Sequence, residues 1–156
     1  MLFRSRARAV AADGYARLPA LLPPPERRAL VLIDPPYEAP DEFARAARAV
    51  DAALRRFATG IVAVWFPIKS AAAADAFCGE ILLAGPAKAL RLDIAVDAPE
   101  GRLGAAGLLV INPPFGFAHD MAAALAPVTP LLGRERPARL ETRWLAGAPA
   151  CHPARS

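Results

Sequence analysis

The chain has 156 residues, 55% of them hydrophobic, which is ample for one core and too short for two ordinary domains. Its net charge of +4 comes from 19 basic against 15 acidic residues, a balance that suits a polyanionic partner such as nucleic acid; all the basic residues but Lys69 and Lys88 are arginines. Cys78, Cys151, His119 and His152 show neither metal-ligand nor disulfide spacing, no apolar segment follows the basic N-terminus as in a secretory signal, and no run nears a membrane-span length. The expectation is therefore a cytoplasmic protein with no metal and no membrane contact.

Residues 6–12 lead as a short strand into Asp13-Gly14, a pair suited to a turn, and 15–22 read as a short helix. Pro23, Pro24 and Pro25 stop that helix and force an extended linker, because proline lacks a donor and restricts the residue before it. An apolar run then predicts a strand over 30–34. From Asp41, apolar positions Phe43, Ala47, Val50, Leu54 and Phe57 recur at steps of four and three, with Arg45, Arg48 and Arg55 on a solvated face. Pro40-Asp41 is the expected start of this helix and Gly60 its left-handed stop.

Residues 61–66 are apolar throughout, as in a strand covered on both faces, and Pro67 ends them. A helix over 70–83 closes before Gly85-Pro86. Strands over 87–96 and 107–111, joined by a turn-rich loop, are expected to pair as an antiparallel hairpin at the sheet edge. A helix over 117–125 and a strand over 139–145 complete one α/β domain spanning 1–146, and 147–156 read as a disordered tail.

The chemistry gathers at Asp34-Pro35-Pro36-Tyr37, directly after a buried strand. The amino nitrogen of adenine or cytosine is a poor nucleophile because its lone pair is delocalised into the ring. The Asp34 carboxylate and the Pro35 carbonyl can accept its two N–H bonds and turn the lone pair toward an electrophilic methyl group, while Tyr37 stacks on the base. Asp34 is thus the catalytic candidate, and Pro35 and Tyr37 the substrate-binding ones. A carboxylate at the end of a parallel strand can also hold the adenine amino group of a nucleoside cofactor, and glycine permits close approach, which makes Asp13 and Gly14 cofactor-binding candidates. An echo, Asn112-Pro113-Pro114-Phe115, reads as a rigid exit turn.

Several stretches occur in the order found in one family: Ser5-Arg6-Ala7-Arg8, Ala12-Asp13-Gly14, Leu32-Ile33-Asp34-Pro35-Pro36-Tyr37-Glu38, Arg56-Phe57-Ala58-Thr59-Gly60-Ile61 and Val110-Ile111-Asn112-Pro113-Pro114. Through them the chain resembles the C-terminal part of the bacterial 23S ribosomal RNA adenine-N6 methyltransferases of the RlmJ type. The resemblance implies an enzyme built on the C-terminal part of a Rossmann-like S-adenosylmethionine-dependent methyltransferase sheet, with 23S rRNA as partner. It further implies Asp34 as a catalytic acceptor that also neighbours the cofactor, Asp13 and Gly14 on the cofactor, and no catalytic part for Asn112. In that family a first strand and a glycine-rich methionine-binding loop precede the region beginning at Met1. The expectation is then an unpaired sheet edge and little methyltransferase activity from this chain alone. Two rival expectations stand beside it: a DNA amino-methyltransferase fragment, and an inactive remnant that binds RNA through Arg45, Arg48, Arg55 and Arg102.

Overall fold

The computed structural model describes residues 9–134 and 136–148. The expected α/β organisation is present as five strands, β1 (Leu30–Ile33), β2 (Ile61–Pro67), β3 (Ala89–Ala95), β4 (Ala105–Ile111) and β5 (Arg139–Ala146). They interleave with helices α1 (Gly14–Arg17), α2 (Glu42–Arg56), α3 (Ala71–Leu82), α4 (Phe117–Leu125) and α5 (Thr129–Leu132), and a 3-10 turn at Leu18–Leu21 follows α1. The sheet order is β1-β2-β4-β3-β5. β1 and β2 are parallel, joined through α2, whereas the β2–β4, β4–β3 and β3–β5 pairings are antiparallel.

Both sheet faces are covered, which is why β2 is apolar at almost every position. On one face Val62, Val64, Phe66, Leu109 and Ile111 pack under α2 and α3, through Val50 and Ala53 of the first and Phe77 and Ile81 of the second. On the other, Ala63, Leu90, Leu92 and Val110 meet Phe117, Ala118 and Met121 of α4. α4 does not extend over the edge strand β1, where Leu30 and Leu32 remain 67% and 64% exposed. Gly107 on β4 lies directly under the Phe66 ring, and any Cβ there would overlap it.

Three local expectations are corrected. Asp13-Gly14 does not end a strand: residues 9–12 are irregular, and Asp13 caps α1 by accepting from Tyr15 N at 2.9 Å and Ala16 N at 3.3 Å. A short acidic side chain competes for backbone donors more effectively than it continues a strand. Residues 1–8, and with them the Ser5-Arg6-Ala7-Arg8 stretch, lie outside the described residues, as do 149–156 of the expected tail. Pro40-Asp41 does start α2, with Asp41 at the residue before Glu42, although its side chain makes no capping hydrogen bond. Gly60 is not a left-handed stop; its Cα sits against Phe57, whose ring would lie 2.6 Å from an added Cβ, so close approach is what requires glycine. The β3–β4 hairpin forms, but inside the sheet, because β4 inserts beside β2 and β5 takes the outer edge next to β3.

Candidate functional site

A cleft of about 540 Å³ opens at the C-terminal end of β1, the end at which open α/β sheets bind ligands. It joins two stretches that are twenty residues apart in sequence: Asp13 and Gly14 on one wall, Asp34, Pro35 and Pro36 on the other. The end of β1 carries Asp34 to the mouth, where its carboxylate is exposed and, among the described residues, in no ion pair. Gly14 faces open space, since a Cβ there would meet nothing within 4 Å. Packing therefore does not demand glycine at that position.

The expected role of Tyr37 as an open stacking shelf is corrected. Its side chain turns into the core, 8% exposed, with the ring 4.7 Å from Phe43 and 6.0 Å from Trp65. Its hydroxyl donates to the Trp65 carbonyl at 2.6 Å, tying the turn after β1 to the end of β2. Burial, followed by the nearby Tyr15, Asp34 and Glu42, raises the Tyr37 hydroxyl pKa, so it stays a donor. A φ of 53° at Tyr37 is unfavourable for a bulky residue, and this buried anchorage offsets it.

Three residues at the cleft were not singled out from sequence as part of the site. Glu42, buried in the first turn of α2, accepts from the Tyr15 hydroxyl at 2.9 Å. Arg45, expected on a solvated face, instead donates to Asp13 Oδ2 at 3.0 Å, lies 3.7 Å from Glu42, and stacks its guanidinium 4.9 Å from the Tyr15 ring centre. Burial first, then the Glu42 hydrogen bond, raises the Tyr15 pKa. The spacing of Glu42 and Arg45, three apart on a helix, was the available signal. The result is a cleft with three carboxylates and one guanidinium, an environment that favours a cationic or amino-bearing ligand over an anionic one.

Asn112 lies at the other end of the sheet. β4 runs opposite to β2, so Ile111 pairs with Val62 while Ile33 pairs with Val64. The two Pro-Pro turns leave in opposite directions, separated along the sheet by the length of β1, roughly 13 Å. Asn112 has φ 51° and donates from Nδ2 to the carbonyls of Ala58 at 2.8 Å and Gly60 at 3.0 Å, which makes it a clamp on the α2–β2 loop.

Residues 1–146 match the family described as Ribosomal RNA large subunit methyltransferase D, RlmJ. The chain belongs to the RlmJ family. It is 34% identical over 135 residues to the Ribosomal RNA large subunit methyltransferase J of Haemophilus influenzae, a match covering 85% of this chain and 48% of that protein. It is 39% identical over 119 residues to the protein of the same name from Escherichia coli K12, covering 75% of this chain and 42% of that one. A crystal structure of a Legionella pneumophila protein superposes with a TM-score of 0.76 at 29% identity, over 85% of this chain and 49% of that one. The chain thus spans about half the length of the curated RlmJ relatives it matches. No described helix is long and apolar enough to cross a membrane, and the described residues hold no cluster of three or more potential metal ligands.

Proposed function

We propose that this chain carries the substrate-activating part, and one wall of the cofactor site, of an S-adenosylmethionine-dependent enzyme that methylates adenine N6 in 23S rRNA. The observation that carries the reading is the shared cleft: Asp34-Pro35 at the end of β1 faces Asp13-Gly14 across one opening. The cleft volume lies in the range of nucleoside-sized sites, and its carboxylates suit both a positively charged sulfonium and an adenine amino group. When bound, S-adenosylmethionine supplies an electrophilic methyl group.

In this reading the Asp34 carboxylate and the Pro35 carbonyl accept the two N–H bonds of the target amine. That concentrates the nitrogen lone pair on the face turned toward the methyl donor. Forming the N–C bond would break the donor's S–CH3 bond, whose electron pair stays on the departing neutral thioether; the nitrogen then acidifies and one proton would pass to Asp34 or to water. Tyr37 contributes by holding the turn from below, so that the acceptors are already aligned before the base arrives. Asp13 keeps one lone pair, on Oδ2, free for a cofactor amino group, while Arg45 and the α1 backbone fix its orientation. A cytoplasmic location accompanies an rRNA substrate.

The test is a titration of the chain with S-adenosylmethionine followed by amide chemical shifts. Shifts centred on Asp13, Gly14 and Asp34, abolished by Asp13→Ala, support the reading. Methyl transfer to unmodified 23S rRNA is expected to be weak from this chain and absent from Asp34→Ala. Shifts elsewhere only, or equal transfer by wild type and Asp34→Ala, would refute it. Preferential methylation of DNA would reassign the substrate.

A further inference from the structure

We infer that the end of the sheet opposite the cleft is an RNA-docking surface, in which the Phe115 ring stacks on an unpaired base while surrounding cations hold the adjoining phosphates. The inference rests on the proposed RNA substrate and assigns a second contact region for it.

Phe115 follows the Asn112 turn with its side chain fully exposed, whereas the other described aromatic rings are at least partly buried. An exposed ring carried on a stiff Pro-Pro turn loses little freedom when a base stacks on it. The turn is also bonded to cation-bearing neighbours. Asn112 N donates to Lys88 O at 2.9 Å, and its side chain bonds the loop that follows Arg55 and Arg56. Ile61 N, next in that loop, bonds Ala29 O at 3.1 Å, which brings in Arg27 and Arg28. All five basic residues are exposed. Arg55 is paired with Asp51 at 2.8 Å and Arg56 touches the Leu22 carbonyl, whereas Arg27, Arg28 and Lys88 form no ion pair among the described residues.

The cleft end has the opposite character: Asp34, Glu38 and Asp41 are exposed there, and Glu42 lies beneath. A phosphate chain is repelled by that rim and attracted to the far end, so affinity and chemistry separate onto two ends of one sheet. Phosphate contacts alone would not call for an exposed ring. An aromatic face beside guanidinium and ammonium groups is the pattern that recognises single-stranded or looped RNA.

The experiment measures binding of a fluorescently labelled RNA stem-loop by anisotropy over a range of salt concentrations. It uses wild type, Phe115→Ala, Phe115→Leu and the double variant Arg28→Glu/Lys88→Glu. Phe115→Ala should weaken binding roughly five-fold or more, with Phe115→Leu restoring only part of the loss. The double variant should also flatten the dependence of log K on log salt by about one unit per lost phosphate contact. Phe115→Ala should leave the S-adenosylmethionine titration unchanged, so RNA docking can stand when that titration fails, and the reverse. Wild-type affinity and salt slope in both Phe115→Ala and the double variant would overturn the inference. So would an effect of Phe115→Ala on self-association in sedimentation with RNA affinity unchanged, which would make the surface a contact between copies.

Discussion

Replacing Asn112 separates a structural clamp from a second catalytic turn, and its cost follows from the geometry. Asn112→Ala removes two hydrogen bonds, to the carbonyls of Ala58 at 2.8 Å and Gly60 at 3.0 Å, each contributing about 1 kcal/mol net. The strain of a Cβ at φ 51°, about 1 kcal/mol or more, is already carried by asparagine and persists in alanine. The expected loss is therefore about 2 kcal/mol, a large share of the stability of a domain this size. Asn112→Gly removes the same bonds but relieves the backbone, so it should lose only about 1 kcal/mol. Asn112→Asp presents a carboxylate oxygen to two carbonyl oxygens and should be at least as damaging as alanine. Urea unfolding followed by circular dichroism gives the midpoints, with the slope m confirming that all variants unfold from the same state. A loss in Asn112→Ala below about 0.5 kcal/mol would refute the clamp. So would normal stability combined with lost S-adenosylmethionine binding, because Asn112 would then act at a site and not on the fold.

Further outcomes follow from the packing. Gly107→Ala forces a methyl group into the Phe66 ring in the middle of the sheet, and should cost about 1–3 kcal/mol by overpacking, read as a lower urea midpoint. Arg91, 4% exposed on β3, bonds Asp93 and Asp75 at 2.7 Å and lies 5.5 Å from the Phe66 ring centre. Arg91→Ala should cost about 3 kcal/mol, and Arg91→Met distinctly less, because an apolar side chain refills the space. Hydrogen bonds from Arg91 and then Arg143 hold the Asp75 carboxyl below its usual pKa. Its stabilisation is therefore complete above the unfolded-state pKa and lost as pH falls through the lower folded value. The acid limb of the stability profile should be shallower in Arg91→Ala. Burial raises the Cys78 thiol pKa, against the opposing pull of Arg91, so alkylation mapped to Cys78 by mass spectrometry should be slow until the chain unfolds.

Much of the local structure was legible because it is written in short-range periodicity. The steps of three and four from Phe43 to Leu54 marked α2, and the unbroken run before Pro67 marked β2. The helix expected over 117–125 is α4 itself. Asp34 could be placed at a strand end for the same reason. Asp13 was harder to read, since Asp-Gly serves turns and helix starts equally well, and only the donors around it show that it caps α1. Tyr37 looked like a shelf because an aromatic residue in an exit turn has no sequence mark for facing inward; the core space beside Phe43 and Trp65 decided its direction.

What the sequence by itself determined is most of the strands and helices and the position of Asp34 at a strand end, because apolar spacing and turn residues act over a few positions. Only the tertiary structure decided that Asp13 and Asp34 share a cleft, that Arg45 belongs to its wall, and that Asn112 lies at the far end. The physical reason is that two look-alike Pro-Pro turns are distinguished by strand direction. Strand direction is set by hydrogen bonds between segments such as β2 and β4, about forty residues apart, and no local pattern records which neighbour a strand will choose.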